Sequence, residues 1–284
     1  MESIADILRE NTLKTKLGDW ASNLRENLQE INNSKDITDF PKIKGASLCI
    51  ANGESLNLHL DEINSFKGHI FSCERNIIKL LEKKIIPDYM VCIDGDPIME
   101  KFIDHPLVDE YSDRITAIFT TTSSPNTIKR WKGEKVFFNA WLDDTTKTES
   151  ISMVFKELTQ KSICHTGGNC GTSLWFLAHY LGSNPIVLLG LDMAYPITIP
   201  DLSYTSIWEG IKHLKREEIL SYFRKETNPF GNDIITDYVW EGFKDAWITW
   251  IAESNITTIQ CSDYTIVHQP PIKLMKFKEY LDNC

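Results

Sequence analysis

Short apolar runs of strand length recur along the chain, separated by stretches in which apolar residues return every three or four positions. Ala46–Ala51 (ASLCIA), His69–Cys73, Tyr89–Ile93, Ile115–Thr120, Lys135–Phe138, Val187–Leu191 and Thr257–Cys261 read as strands. A continuous apolar run bounded by turn residues is what a strand covered on both faces requires. Between them, LNLHLDEINSF (from Leu56), Asn76–Lys83, Gly171–Tyr180, Trp240–Ala252 and Pro271–Leu281 carry helical spacing. Strands alternating with helices predict an α/β fold with a doubly wound, mainly parallel sheet.

Two segments fall outside that rhythm. Residues 1–33 read as helix, with Ile4, Ile7, Leu8, Leu17, Trp20, Leu24, Leu28 and Ile31 near i, i+3, i+4 spacing and Gly18 as a possible break. Ser34–Lys44 is polar, contains Pro41 and reads as a linker. Residues 1–44 are therefore expected to form a helical extension that packs on the main domain or makes a homo-oligomer contact, and residues 45–284 to form that domain. The second segment, Pro196–Tyr238, is aromatic and charged, carries Lys212, His213, Lys215, Arg216, Arg224 and Lys225, and shows no strand signal. It is expected to be a helical lid before the last strand.

Composition narrows the field. The 284 residues are 42% hydrophobic and 25% charged with a net charge of −10, so the chain is globular, and no basic tract suggests a nucleic-acid surface. The seven cysteines form no C-x-x-C pair, which points to reduced thiols rather than a disulfide framework or zinc site. The opening MESIADILRE lacks an apolar core and no run nears the roughly 18 apolar residues a membrane span needs, so the expected location is cytoplasmic.

The candidate chemistry sits in loops. Asn52–Ser55, Asp94–Asp96, Thr120–Ser124 and Asp192–Tyr195 each follow a strand, and in a parallel sheet they rise at one edge where they can converge on a ligand. Thr166-Gly167-Gly168-Asn169 precedes a helix, where free N–H groups favour anions and paired glycines permit close approach. No G-x-G-x-x-G or G-K-[ST] fingerprint is present, but Asn52, Gly53 and Ser55 can cradle a phosphate or simply cap a turn. Asp94 and Asp96 straddle a glycine and offer hard oxygen ligands for Mg²⁺ or Mn²⁺ on a diphosphate, although D-G-D-P is also good turn chemistry. His165, beside the glycines, and His213 are candidate acid–base groups.

Together these loops resemble the family that joins the motility accessory factor (Maf) flagellin glycosyltransferases with the archaeal 6-hydroxymethylpterin diphosphokinase MptE, and they are similar to small bacterial sialyltransferases. Ile50–Leu56 matches the G-N-G-P-S-L loop except for Ala51 and Glu54. Leu80–Asp96 resembles G-I-x-P-D-x-x-V-x-x-D with Lys84 in place of the glycine, and Thr166–Tyr195 resembles G-G-(N/S)…P-I-x-L-x-G-x-D-x-A-Y. The match covers roughly residues 45–196. It implies a Rossmann-like, nucleotide-dependent transferase. One branch moves a nonulosonic sugar from its CMP-activated form to an acceptor hydroxyl, and the other moves pyrophosphate from ATP to a pterin alcohol with Mg²⁺.

This sequence has CIDGDP where the diphosphokinases carry T-D-L-D-G, GGNCGTS in place of F-T-D-G-D-R, and no H-G-D-N. Glycosyl transfer is therefore the favoured expectation. Diphosphokinase activity or a non-catalytic nucleotide-binding protein are the alternatives, because the histidine that sialyltransferases carry before the final helix is missing from Asn228–Trp240. His213, Asp237 or Tyr238 would have to serve instead. On this reading Asn52, Gly53, Ser55, Thr120, Thr121, Thr166, Gly167, Gly168, Asn169 and Tyr195 hold the nucleotide. Asp94 and Asp96 bind ribose or metal, Asp192 orients the donor, and His165 or His213 moves the proton.

Overall fold

The computed structural model describes residues 4–198, 207 and 211–283. Its strands are β1 (Lys35–Asp36), β2 (Ser47–Ile50), β3 (His69–Cys73), β4 (Tyr89–Cys92), β5 (Thr116–Thr120), β6 (Lys135–Ala140), β7 (Ile163–Cys164), β8 (Ile186–Leu189), β9 (Tyr195–Pro196), β10 (Phe223–Thr227), β11 (Asp233–Asp237), β12 (Thr258–Gln260) and β13 (Lys273–Leu274). The helices are α1 (Ile4–Asn33), α2 (Leu56–His59), α3 (Ile77–Glu82), α4 (Pro106–Tyr111), α5 (Pro125–Arg130), α6 (Ile151–Thr159), α7 (Cys170–Leu181), α8 (Arg216–Leu220), α9 (Tyr238–Glu253) and α10 (Phe277–Asp282).

The main sheet runs β1-β6-β5-β4-β3-β2-β8-β12-β13, with β7 also on β6. Every neighbouring pair in it is parallel. The chain builds outward from β2 to β6 and then returns to lay β8 on the other side of β2. The topological switch point therefore lies between β2 and β8, where loops diverge and an open α/β sheet leaves a crevice.

Alternation along each strand feeds a core on both faces. Cys49, Phe71, Val91, Ile118, Val136 and Leu188 point to one face, under α7 and α9. Met90, Ala117, Phe119 and Phe137 meet α3, α4 and α5 on the other. Leu48, Ile50, Val187 and Leu189 pack with Phe66, Phe277 and Tyr280. Helix α7 is buried on almost every side, as its apolar sequence demands.

The architecture is the Rossmann-like α/β arrangement the alternation predicts, with local differences. Helix α1 runs straight through Gly18. It lies along α5, α6 and α9, and its Asn23 and Asn27 amides donate to the carbonyls of Gly95, Thr121, Thr122 and Ser123. The linker carries β1 and a 3-10 turn capped by Asp36. The helix expected over LNLHLDEINSF is only α2 followed by a 3-10 turn. The closing helix begins at Phe277 because Lys273–Leu274 first joins the sheet edge.

The insertion is not purely helical. Beside α8 it contains β10 and β11, which form an antiparallel sheet with β9 around Ile207, Ile211, Ile219, Phe223 and Ile235. FRKET buries only Phe223 and fills its other positions with charged and polar residues, and DIITD is bounded by aspartates, so neither reads as an apolar run. The rest of the expected lid, residues 199–206 and 208–210, lies outside the described residues.

Candidate active site at the C-terminal edge of the sheet

At the switch point the loops after β2 and β8 are tied to each other. The Gly53 N–H donates to the Gly190 carbonyl at 2.7 Å. The Ser55 N–H and hydroxyl donate to the two oxygens of Asp192 at 2.9 and 2.6 Å. A Cβ on Gly53 would sit 2.5 Å from Asp192 Oδ2 and 2.6 Å from the Gly190 carbonyl, so glycine is what permits this approach. Asp192 is 2% exposed, and burial pushes its carboxyl up to about 7 against the two Ser55 hydrogen bonds. Asp192, Gly53 and Ser55 thus form a closed knot, while Asn52 is exposed beside it.

One strand over, the edge carries two residues that the sequence reading passed by. Glu74 follows β3 as Asp94 follows β4, and the same strand-end rule would have found it. It is 2% exposed, accepts a hydrogen bond from the Cys170 thiol at 3.3 Å, and burial pushes its carboxyl up to about 7. Fully buried Asn76 donates to the Ile50 carbonyl at 3.4 Å, which fixes the amide and leaves its Oδ1 without a partner among the described residues.

The Asp94-Gly95-Asp96 turn follows β4. Asp94 Oδ1 accepts from the Asp96 N–H, and Asp96 Oδ1 caps the next 3-10 turn through the Ile98 N–H, each at 2.9 Å. Both side chains are exposed, and among the described residues no hydrogen bond reaches the second oxygen of either carboxylate. That donor set fits Mg²⁺, which uses one or two carboxylates together with substrate phosphates. Among the described residues no three His, Cys, Asp or Glu gather as a protein-only metal cage. After β5, Thr121 turns inward to Asn139 at 2.7 Å, whereas Thr120 lies at the cavity described below.

The Gly-Gly loop stands over these strand ends. Thr172 and Ser173 hydroxyls donate to the Thr166 carbonyl. Gly167 and Gly168 adopt φ of 67° and 92°, a region that favours glycine, and a Cβ on Gly168 would collide with the Phe243 ring. Asn169 caps α7 by accepting from the Thr172 N–H at 3.0 Å. Its Nδ2 is thereby turned away from the helix, buried and without a partner among the described residues. The first N–H groups of α7 lack intrahelical acceptors, so an anion here would meet both them and the helix dipole.

The loop opens onto a cavity of about 240 Å³. Its walls include Trp20 of α1, Trp141, His165, Phe176, and Phe243, Trp247 and Trp250 of α9. His165 packs among Trp141 at 4.6 Å, Trp250 at 4.1 Å and Phe176 at 5.6 Å between ring centroids. Burial lowers its pKa, so the imidazole is neutral near pH 7 and able to accept a proton.

The remaining candidates lie apart from the cavity wall. Tyr195 accepts from the Trp240 indole at 2.7 Å in the small sheet. His213 is exposed in the insertion. Asp237 caps α9 through the Val239 and Trp240 N–H groups, and Tyr238 is exposed.

A family model described as 6-hydroxymethylpterin diphosphokinase MptE-like matches residues 20–198. Among solved structures, the MAf glycosyltransferase from Magnetospirillum magneticum AMB-1 is similar with a TM-score of 0.62 at 14% identity. The match covers 89% of this chain and 38% of that one. No curated protein matches the chain.

Proposed function

The chain belongs to the 6-hydroxymethylpterin diphosphokinase MptE-like family, and on that premise we propose that it is a nucleotide-dependent transferase, moving a CMP-activated nonulosonic sugar to an acceptor hydroxyl. The observation that carries this reading is the buried Nδ2 of Asn169 at the N-terminus of α7, without a partner among the described residues and beside a glycine pair and a cavity. A buried donor without an acceptor costs about 1–3 kcal/mol, which a bound phosphate oxygen would recover.

In this mechanism the Gly167–Asn169 backbone and the Asn169 amide hold the donor phosphate. The acceptor oxygen attacks the anomeric carbon as the bond from that carbon to the phosphate oxygen breaks, and the electron pair leaves with the nucleotide. His165 accepts the hydroxyl proton, because its ring lines the cavity and is held neutral by burial. Asp192, with both oxygens engaged by Ser55, keeps the β2 and β8 loops in register rather than meeting the donor directly.

The carboxylate oxygens of Asp94 and Asp96 that take no hydrogen bond among the described residues favour a second reading, pyrophosphoryl transfer from ATP. Mg²⁺ held there would neutralise charge on the substrate phosphates. Thermal shifts with CMP, CDP, AMP and ATP, each with and without Mg²⁺, separate the two. Metal-independent stabilisation by CMP is expected. Stabilisation by ATP alone, and only with Mg²⁺, would replace sugar transfer with pyrophosphoryl transfer. No response to any nucleotide would leave a binding module that keeps the fold without the activity.

A further inference from the structure

Helix α1 stands outside the alternation of strands and helices, yet one face of it reaches the strand ends. Trp20, Asn23 and Asn27 fall at i, i+3 and i+7 and share that face. The Asn23 amide donates to the Gly95 carbonyl at 2.9 Å and to the Thr122 carbonyl at 3.1 Å, so it bridges the loops after β4 and β5. The Asn27 amide donates to the Thr121 and Ser123 carbonyls at 3.2 and 2.8 Å, both in the second of those loops. The two loops are also tied directly. The Ser124 N–H donates to the Asp94 carbonyl at 3.1 Å, and the Thr120 hydroxyl donates to the Ile93 carbonyl at 3.2 Å.

Gly95 shows what the contact demands. Its φ lies outside the left-handed region, so the turn itself does not call for glycine. A Cβ there would instead lie 2.8 Å from Asn23 Nδ2, 3.0 Å from the Thr122 carbonyl and 3.4 Å from the Trp20 ring. The glycine between Asp94 and Asp96 therefore makes room for α1. That is a third meaning of D-G-D, beside a turn and a metal motif.

The loops held in this way carry Asp94 and Asp96 of the exposed turn and Thr120 and Thr122 of the cavity wall. Each asparagine amide commits both of its N–H groups to carbonyls, so neither has a donor left for a ligand. Two side chains of one helix thus satisfy four loop carbonyls and fix both loops to one scaffold. We propose that Asn23 and Asn27 are positioning residues: α1 is a brace that sets the Asp94–Asp96 and Thr120–Ser124 loops to receive the nucleotide, and the site is incomplete without it. The ligand half of this inference rests on the nucleotide reading above, and the loop half does not.

Two measurements on the full chain test the brace: hydrogen exchange, and isothermal titration with CMP, with ATP and Mg²⁺, and with inorganic phosphate. Asn23 is half-buried, so it is the position to change. Asn23→Asp keeps the shape but turns lone pairs toward the two carbonyls, and Asn23→Ala removes the amide altogether. Ser22→Ala, at an exposed neighbouring position, is the control on the same helix. Circular dichroism melts check the folding of all three. Losing both bonds is expected to speed exchange at residues 94–96 and 120–124 roughly tenfold in both Asn23 variants, with β2 and β8 unchanged. The nucleotide that the parent binds should weaken by a similar factor, about tenfold, while phosphate, held at α7, binds as before.

Faster loop exchange, weaker nucleotide binding and unchanged phosphate binding together support the brace. Unchanged loop exchange overturns it, whatever the ligands do. Loosened loops with nucleotide affinity unchanged, or with nucleotide and phosphate weakened alike, also overturn the positioning role, because α1 then only stabilises the fold. A parent that binds neither nucleotide nor phosphate removes the nucleotide reading, and the exchange result alone then decides whether α1 sets the loops.

Discussion

Replacing Glu74 with glutamine isolates the cost of one buried carboxyl at the strand ends. Burial raises its pKa from 4.5 to about 7, although the Cys170 thiol and Arg75 favour the ionised form. The unfolded chain releases this proton near the ordinary value, while the folded chain holds it until near 7. Between those values the folded state binds more protons, so stability is full below the ordinary glutamate pKa and is lost as pH rises through 7. At about 1.4 kcal/mol per pH unit, the gap between 4.5 and about 7 amounts to about 3 kcal/mol. The substituted amide would keep an acceptor for the Cys170 thiol and carry no charge. Urea unfolding at pH 5 and pH 8 should therefore find Glu74→Gln close to the parent at pH 5 and up to about 3 kcal/mol more stable at pH 8. Asp192, similarly raised, is present in both proteins and cancels in the difference. Equal stability at pH 8, or a difference that does not change with pH, would refute the buried-carboxyl account.

The same geometry makes three further predictions. Gly53→Ala places a Cβ 2.5 Å from Asp192 Oδ2 and should cost about 2–3 kcal/mol in urea unfolding, with loss of nucleotide binding as the β2 and β8 loops separate. His59 bridges Glu62 at 2.8 Å and Asp263 at 2.5 Å, and although burial lowers its pKa, these hydrogen bonds win and raise it. Its contribution is present below the ordinary histidine pKa and lost as pH rises through the folded value, so His59→Gln should cost about 1 kcal/mol at pH 6 and less at pH 8. Asp94→Asn should leave CMP binding intact but weaken any Mg²⁺-dependent ATP binding. A normal Mg²⁺ response in that variant would remove the metal role of Asp94.

The strands of the sheet were legible because they are buried on both faces and read as unbroken apolar runs, as in ASLCIA and YMVCI. Strands β10 and β11 were not, because in FRKET Phe223 alone is buried among charged neighbours, and in DIITD polar Thr236 and Asp237 are buried beside Ile234 and Ile235, so neither is an apolar run. Dipeptide strands such as β1 and β7 leave no period to detect. At the site, sequence logic found the loops that end strands but could not say how they divide. Gly53, Ser55 and Asp192 satisfy one another, and Asp96 caps a turn, whereas Thr120, His165, Thr166, Gly167 and Gly168 border the cavity. Glu74 ends a strand as Asp94 does and was within reach of the same rule, whereas nothing in its sequence neighbours marks Asn76; folding brings them beside Cys170 and Ile50. Likewise, Arg9 looks like a helix surface residue until α1 lies across the cavity.

A crystal structure of the chain with CMP tests the central claim most directly. The account predicts a phosphate oxygen within about 3 Å of Asn169 Nδ2 and the first N–H groups of α7. A phosphate seated instead on Asn52–Ser55, with the Asn169 amide still unpartnered, would contradict it.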